Sequence, residues 1–199
     1  MPEQQKEYIF GVADITIGDG KDKIKFDGKD YLQAEGGSLT LTPQYEDFTF
    51  ADFGETVVEK RLKGWEGEVK VVAGQEDVNI LELALASTES ITDTDGGTSG
   101  AMDAKIGTKL IGRRVNIHPR ILPDSVKDMD WTIYNMASTE GFTREYNQEQ
   151  GNVEITLTMM PREGFDASKP GNFFYRGGVD PNANENDGGN DDSGDDSPN

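Results

Sequence analysis

The sequence contains no cysteine, and histidine occurs once in its 199 residues. Without thiols the chain has no disulfide, no thiolate metal site and no cysteine nucleophile. A single histidine, His118, leaves a multi-histidine zinc site or a serine–histidine relay without its parts. In "RVNIHPRILP" it precedes Pro119, has no oriented partner signalled nearby, and reads as the end of a strand. Long apolar runs are also missing, and "MPEQQKEY" lacks the charged-then-apolar start of a signal peptide. The expectation is a soluble chain made in a cytoplasm, with no membrane partner.

Positive charge is scarce. Nineteen lysines and arginines face 38 acids, for a net charge of −19, and mean hydropathy is −0.67. Seven of the acids fall in "GGVDPNANENDGGNDDSGDDSPN", residues 177–199, which has no base; the rest of the chain carries −12. That terminal stretch has almost nothing apolar to bury and is expected to be a disordered acidic tail. A nucleic-acid binder needs clustered bases to displace counterions from phosphates, so specific binding of that kind is disfavoured. Catalytic signatures are missing too: G-x-S-x-G, H-E-x-x-H and G-x-x-x-x-G-K-[ST] do not occur. In an acid-rich chain carboxylate pairs are everywhere; Glu66 and Glu68, flanking Gly67 beside Trp65, are the best glycosidase-like candidates and nothing else supports them. Neither an enzyme nor a cofactor is expected.

What the chain does have is strands. "YIFGVADITIG" (residues 8–18) continues its alternation through Ile15 and Ile17. Asp19-Gly20 and Asp27-Gly28 bracket the short strand "KIKF" as turn dipeptides, and no register matches the calcium-loop spacing. In "NQEQGNVEITLTMMPREGFD" (residues 147–166), Val153, Ile155 and Leu157 alternate with Glu154, Thr156 and Thr158, as in a sheet with one wet face. Pro161 ends that strand, and "NFFYRGG" reads as leaving the domain. "DMDWTIYNMAS" supplies another strand through Trp131, Ile133 and Tyr134, and Arg113 to Pro119 one more. The only basic cluster, Arg113, Arg114 and Arg120, is expected to pair with acids on neighbouring strands or subunits.

Between Gly36 and Gly74 lies the longest strand-rich stretch. Leu39 and Leu41 alternate and stop at Pro43; Val69 and Val71 resume the pattern. The middle, Pro43 to about Glu59, is aromatic yet acidic and resembles a long hairpin projecting from the body. Phe48, Phe50 and Phe53 on such a projection cost up to a few kcal/mol each if left in water. They are either folded back on the core or buried against another copy. "QEDVNILELALAST" is the one convincing helix, with Asp77 as N-cap and Val78, Ile80, Leu81 and Leu85 as its apolar stripe. "TESITDTDGGTSGAMDA" (residues 88–104) reads as a mobile surface loop. Many strands at short, regular spacing and one helix predict a mainly β fold: an antiparallel sandwich or barrel with one flanking α-helix. The divisions expected are an N-terminal arm over 1–7, a β domain over 8–176 and the acidic tail over 177–199.

The order of "GVADITIGDG", a long hairpin ending "GWEGEVKVVAG", the helix "EDVNILELALAS" and a closing "STEGFTREYNQEQGNVEITLTMMP" resembles the major tail (tail tube) protein of long-tailed bacteriophages with non-contractile tails. The resemblance covers about residues 5–176 and rests on element order rather than on a strict motif. It implies a fold shared with tube proteins of contractile phages and of bacterial secretion systems. It implies homohexameric rings stacked into a tube in the virion, meeting tape measure, distal tail and tail terminator proteins. Double-stranded DNA would pass through without specific binding. If six subunits each lend four strands, about twenty-four strands at ~4.8 Å spacing and ~40° tilt close to roughly 50 Å, leaving ~35–40 Å clear. An acidic bore would repel the duplex, whereas each inward base would retard it. Candidate subunit and ring contacts are Pro43, Tyr45, Phe48, Phe50, Phe53, Phe173, Phe174 and Tyr175, together with the N-terminal arm; the sequence does not single out lumen-facing residues. Two other readings stay open: a monomeric β-barrel binding a small ligand inside, and a virion decoration or adhesion module.

Overall fold

Alternation of apolar and polar residues lets each strand bury one face, and ten strands and one α-helix result among the described residues. The computed structural model describes residues 10–20, 23–148 and 150–183. The arm expected over 1–7 lies outside the described residues, as does the acidic tail from residue 184 onward. In chain order the strands are β1 (Ala13–Ile17), β2 (Ile24–Phe26), β3 (Gln33–Thr49) and β4 (Val57–Ala73). After α1 (Val78–Ala84) come β5 (Thr88–Thr92), β6 (Thr98–Asp103), β7 (Arg113–Pro119), β8 (Trp131–Ser138), β9 (Val153–Met160) and β10 (Phe174–Arg176).

Eight strands form one antiparallel sheet in the order β2-β1-β7-β8-β9-β4-β3, with β10 joined to β8. β8 is shared along one side: Trp131 to Ile133 pair with β10, and Asn135 to Ser138 pair with β9. The sheet curls until its two edge strands meet at one end. There the Gln33 side-chain amide donates to the carbonyls of Ala13 and Phe26, both at 2.7 Å. Inside the curl lie Ile15, Ile17, Phe26, Val69, Val71, Val115, Ile133, Val153, Ile155 and Leu157, all fully buried. Each contributes about 1.5–3 kcal/mol relative to exposure. The expected mainly β antiparallel architecture with one flanking helix is the architecture found.

Asp77 does cap α1, accepting from the Ile80 N–H at 2.9 Å. The buried stripe differs from the expected one: Ile80, Leu83 and Ala84 face the core, while Val78, Leu81 and Leu85 are half-buried. The helix is seven residues long, so its inner face is a single i, i+3, i+4 triplet. The first strand starts at Ala13, because Gly11 takes a φ of 96° and Phe10 before it is exposed. Pro43 does not end its strand. β3 is an edge strand, where a proline nitrogen without a ladder partner is tolerated.

Residues 88–104 are not a loop but the β5–β6 hairpin. The Asp93 carboxylate accepts from the N–H groups of Asp95 and Gly97, and Gly96 at φ 84° closes the turn. The composition resembled a loop because the turn residues are concentrated in its middle. In β9 the expected wet face is dry at Thr156, which is buried and lines a recess with Gly141, Arg144 and Gln150. Finally, "NFFYRGG" does not leave the domain; it returns as β10, and the chain stays packed on the body through residue 183.

Candidate functional site

β9 pairs with β4 only from Glu68 to Ala73. Beyond that point β3 is the only strand paired with β4 among the described residues, and past Trp65, which packs on Phe174, the two run on as a projecting ribbon. From Trp65 to Val57 the ribbon rises roughly 26 Å at ~3.3 Å per residue. Two register shifts, at Gln44/Tyr45 and Phe48/Thr49, mark bulges in it. The shifts add twist to a two-stranded element that is otherwise marginal in water.

Cross-strand pairing sorts its side chains into two faces. Glu46, Phe48, Glu59 and Arg61 share one face, with Arg61 stacked 5.1 Å over the Phe48 ring. Lys63 holds Glu46 at 3.0 Å and Arg61 holds Glu59 at 2.5 Å. The other face continues the body's inner line through Pro43 and Trp65 to Tyr45 and Leu62. At the tip, Phe50 precedes a 3-10 turn, Ala51–Phe53, closed by Gly54 at φ 67°. Of the aromatics expected to fold back or to meet a partner, none returns to the core: Phe48 is 37%, Phe50 51% and Phe53 65% exposed. Val57, Val58 and Leu62, on the facing arm, are exposed apolar residues that the sequence analysis did not single out. Their signal was there in "ETVVEKRL", read only as part of a strand.

The remaining interface candidates behave differently. Pro43 lies opposite Trp65 and is half-buried. Phe173 and Phe174 pack against the core, and the Phe174 ring meets Trp65 edge-on at 5.1 Å. Asn172 is buried, with its side chain bonded to the carbonyls of Asp166 and Lys169. The contacts of residues 172–176 thus fall largely inside the chain. At the ribbon's base these groups line an apolar cleft of about 590 Å³ formed by Leu62, Trp65, Phe165, Pro170, Phe173 and Phe174, with Lys63 and Lys169 beside it.

Tyr175 belongs to a cluster on the far side of β8. The Asp180 carboxylate accepts from the Tyr134 hydroxyl at 2.7 Å and from Arg114 at 2.9 Å. Arg114 also donates to the Tyr175 hydroxyl at 2.9 Å and lies over the rings of Tyr134 and Tyr175. Asn182 donates to the Tyr134 oxygen at 2.9 Å and to the Gly171 carbonyl at 2.7 Å. Burial, reinforced by the Asp180 carboxylate, pushes the Tyr134 hydroxyl well above its ordinary range. Burial alone would raise Asp180, but hydrogen bonds from Tyr134, the Asn182 N–H and Arg114 outweigh it and hold the carboxyl low. Arg114 and Arg120, which holds Asp14 at 2.7 Å, therefore pair with acids as expected, although the acid for Arg114 comes from the stretch read as tail.

His118 does have an oriented partner: its Nδ1 is 2.5 Å from Asp130, and its Nε2 is 3.2 Å from the Leu122 carbonyl oxygen. Both ring nitrogens thus face oxygen atoms of their own chain. The partner was invisible in the sequence because it arrives from the far end of the β7–β8 connection. Glu66 and Glu68 lie along the outward face of β4, Glu68 3.5 Å from Lys70, with no cleft between them. Among the described residues no group of three or more histidines, cysteines or acids could hold a metal ion. No helix among them is long and apolar enough to cross a membrane. The interior of the curled sheet holds the buried cluster that includes Ile15, Phe26, Val71, Ile133 and Ile155. No protein-family model matches the sequence, and no curated protein matches it.

Proposed function

We propose that this chain is a self-assembling structural protein, the subunit of a phage tail tube built from stacked hexameric rings. The observation that carries the proposal is the β3–β4 ribbon, a projection whose Phe50, Phe53, Leu62, Val57 and Val58 are exposed, with no cover among the described residues. Exposed apolar side chains concentrated on one projecting element favour a protein contact. The outer edge of the seventeen-residue β3 pairs with no strand among the described residues, a template for another strand unless a neighbour covers it. Where the copy that receives one projection offers its own to a third copy, the contact is head-to-tail and yields rings or filaments. The element order that resembles tail tube proteins selects the tube among such assemblies. An acidic body carrying −12 outside its last twenty-three residues suits a conduit through which DNA slides without sticking.

The test is to replace residues 45–63 with a two-residue Asn-Gly turn joining Gln44 to Gly64, and to image parent and variant by negative stain at high concentration. The parent should form tubes with a channel wide enough for duplex DNA. The variant should stay a folded monomer. A parent that remains monomeric at every concentration, or a variant that still forms tubes, refutes the proposal.

A further inference from the structure

The tip of the ribbon and the cleft at its base complement one another in shape and in charge. We propose that Phe50 and Phe53 of one copy seat in the cleft between Leu62, Trp65, Phe165 and Pro170 of a second copy. This rests on the self-assembly reading above and names the contact that reading requires. The cleft, at about 590 Å³, is the size that accepts a drug-sized group, commonly ~300–1,000 Å³, and so has room for two aromatic rings. Its lining is apolar and aromatic, like the rings it would receive.

The occupant comes from another chain because the molecule's own tip does not reach. Val57 stands eight residues along the strand from Trp65, roughly 26 Å at ~3.3 Å per residue. Paired strands held by ladder bonds do not fold back over that distance.

Charge favours the same occupant. From Phe50 to Val58 the tip carries Asp52 and Glu55 and no base, and neither acid forms an ion pair with a described residue. Beside the cleft stand Lys63, held by Glu46 at 3.0 Å, and Lys169, near Asp166 at 3.8 Å. Exposed pairs of this kind contribute little in water, so the two lysines can exchange partners as the tip docks. In a chain with twice as many acids as bases, lysines at the cleft and acids at the tip give the docking a preferred polarity. Tip and cleft occupy different places on one chain, so a copy that receives one tip can offer its own to a third, and docking then propagates from copy to copy.

The natural absence of cysteine gives a clean background for the test. Ala51→Cys at the tip and Ala167→Cys beside the cleft are combined in the full chain, at two exposed positions. Diamide oxidation at assembling concentrations should then yield a ladder of disulfide-linked multimers that dithiothreitol collapses. Each single variant should stay monomeric, because the contact sets residue 51 against residue 167 and brings neither beside its own counterpart. Large assemblies without a ladder would leave the cleft to some other occupant and overturn this contact while the assembly reading survives. A double variant whose ladder stops at dimers overturns the head-to-tail geometry. No assembly of any kind removes both. As a second measure, Phe50→Ser with Phe53→Ser should raise the critical concentration on the order of 100-fold or more, with the monomer's melting temperature unchanged. An unchanged critical concentration overturns the proposal.

Discussion

Replacing Asp180 with alanine should destabilise the β domain, although the sequence places that residue in an acidic tail. In the folded chain its carboxylate accepts from Tyr134 Oη at 2.7 Å, Arg114 Nη2 at 2.9 Å and the Asn182 N–H at 2.9 Å. The Arg114–Asp180 side chains are 29% and 20% exposed, so water replaces this pair poorly. A charge-assisted bond contributes about 1.5–3 kcal/mol and a neutral one about 0.5–1.5 kcal/mol. Part of the loss is recovered when residues 177–183 gain freedom. The expected net cost is about 2–3 kcal/mol, or roughly 4–12 °C in melting temperature for a domain of this size. Tyr134→Phe, which removes one donor, should cost about 0.5–1.5 kcal/mol.

The same substitution has a signature in pH. Because Asp180 is held below the ordinary carboxylate range, its contribution is fully present above its unfolded value of about 3.9. It disappears as pH falls through the lower native value. Thermal melts from pH 7 down to pH 2 should therefore show the parent and Asp180→Ala curves converging in acid. A variant melting within about 1 °C of the parent at pH 7, or curves that stay parallel below pH 4, would refute the reasoning.

Two further substitutions probe the body. Asp77→Ala removes the α1 N-cap and the acceptor that Tyr31 Oη reaches at 2.6 Å, and should cost about 1–2 kcal/mol in urea unfolding. Equal stability would mean that the helix is held by packing alone. Gly67→Ala would place a Cβ 2.8 Å from Met159 Sδ and 2.9 Å from Met159 Cβ, so β4 and β9 must separate; a loss of about 1–3 kcal/mol is expected, and a gain would refute the close approach.

Local chemistry determined much of this protein from the sequence alone. Alternation at Ile15 and Ile17, at Val69 and Val71, and at Val153, Ile155 and Leu157 announces strands, because a pleated chain sends successive side chains to opposite faces. Asp77 announces its helix because an N-cap needs only the N–H three residues on. The projecting hairpin was visible as an acidic, aromatic interval between two strand patterns. Only tertiary structure decided what stands beside what. Arg114 finds Asp180 sixty-six positions away, and His118 finds Asp130 across a loop whose path no short pattern records. It also decided that Phe174 turns inward onto Trp65 while Phe53 stays in water. Periodicity reports which face of an element is apolar; whether the chain itself covers that face depends on how far the sheet curls and where its ends return.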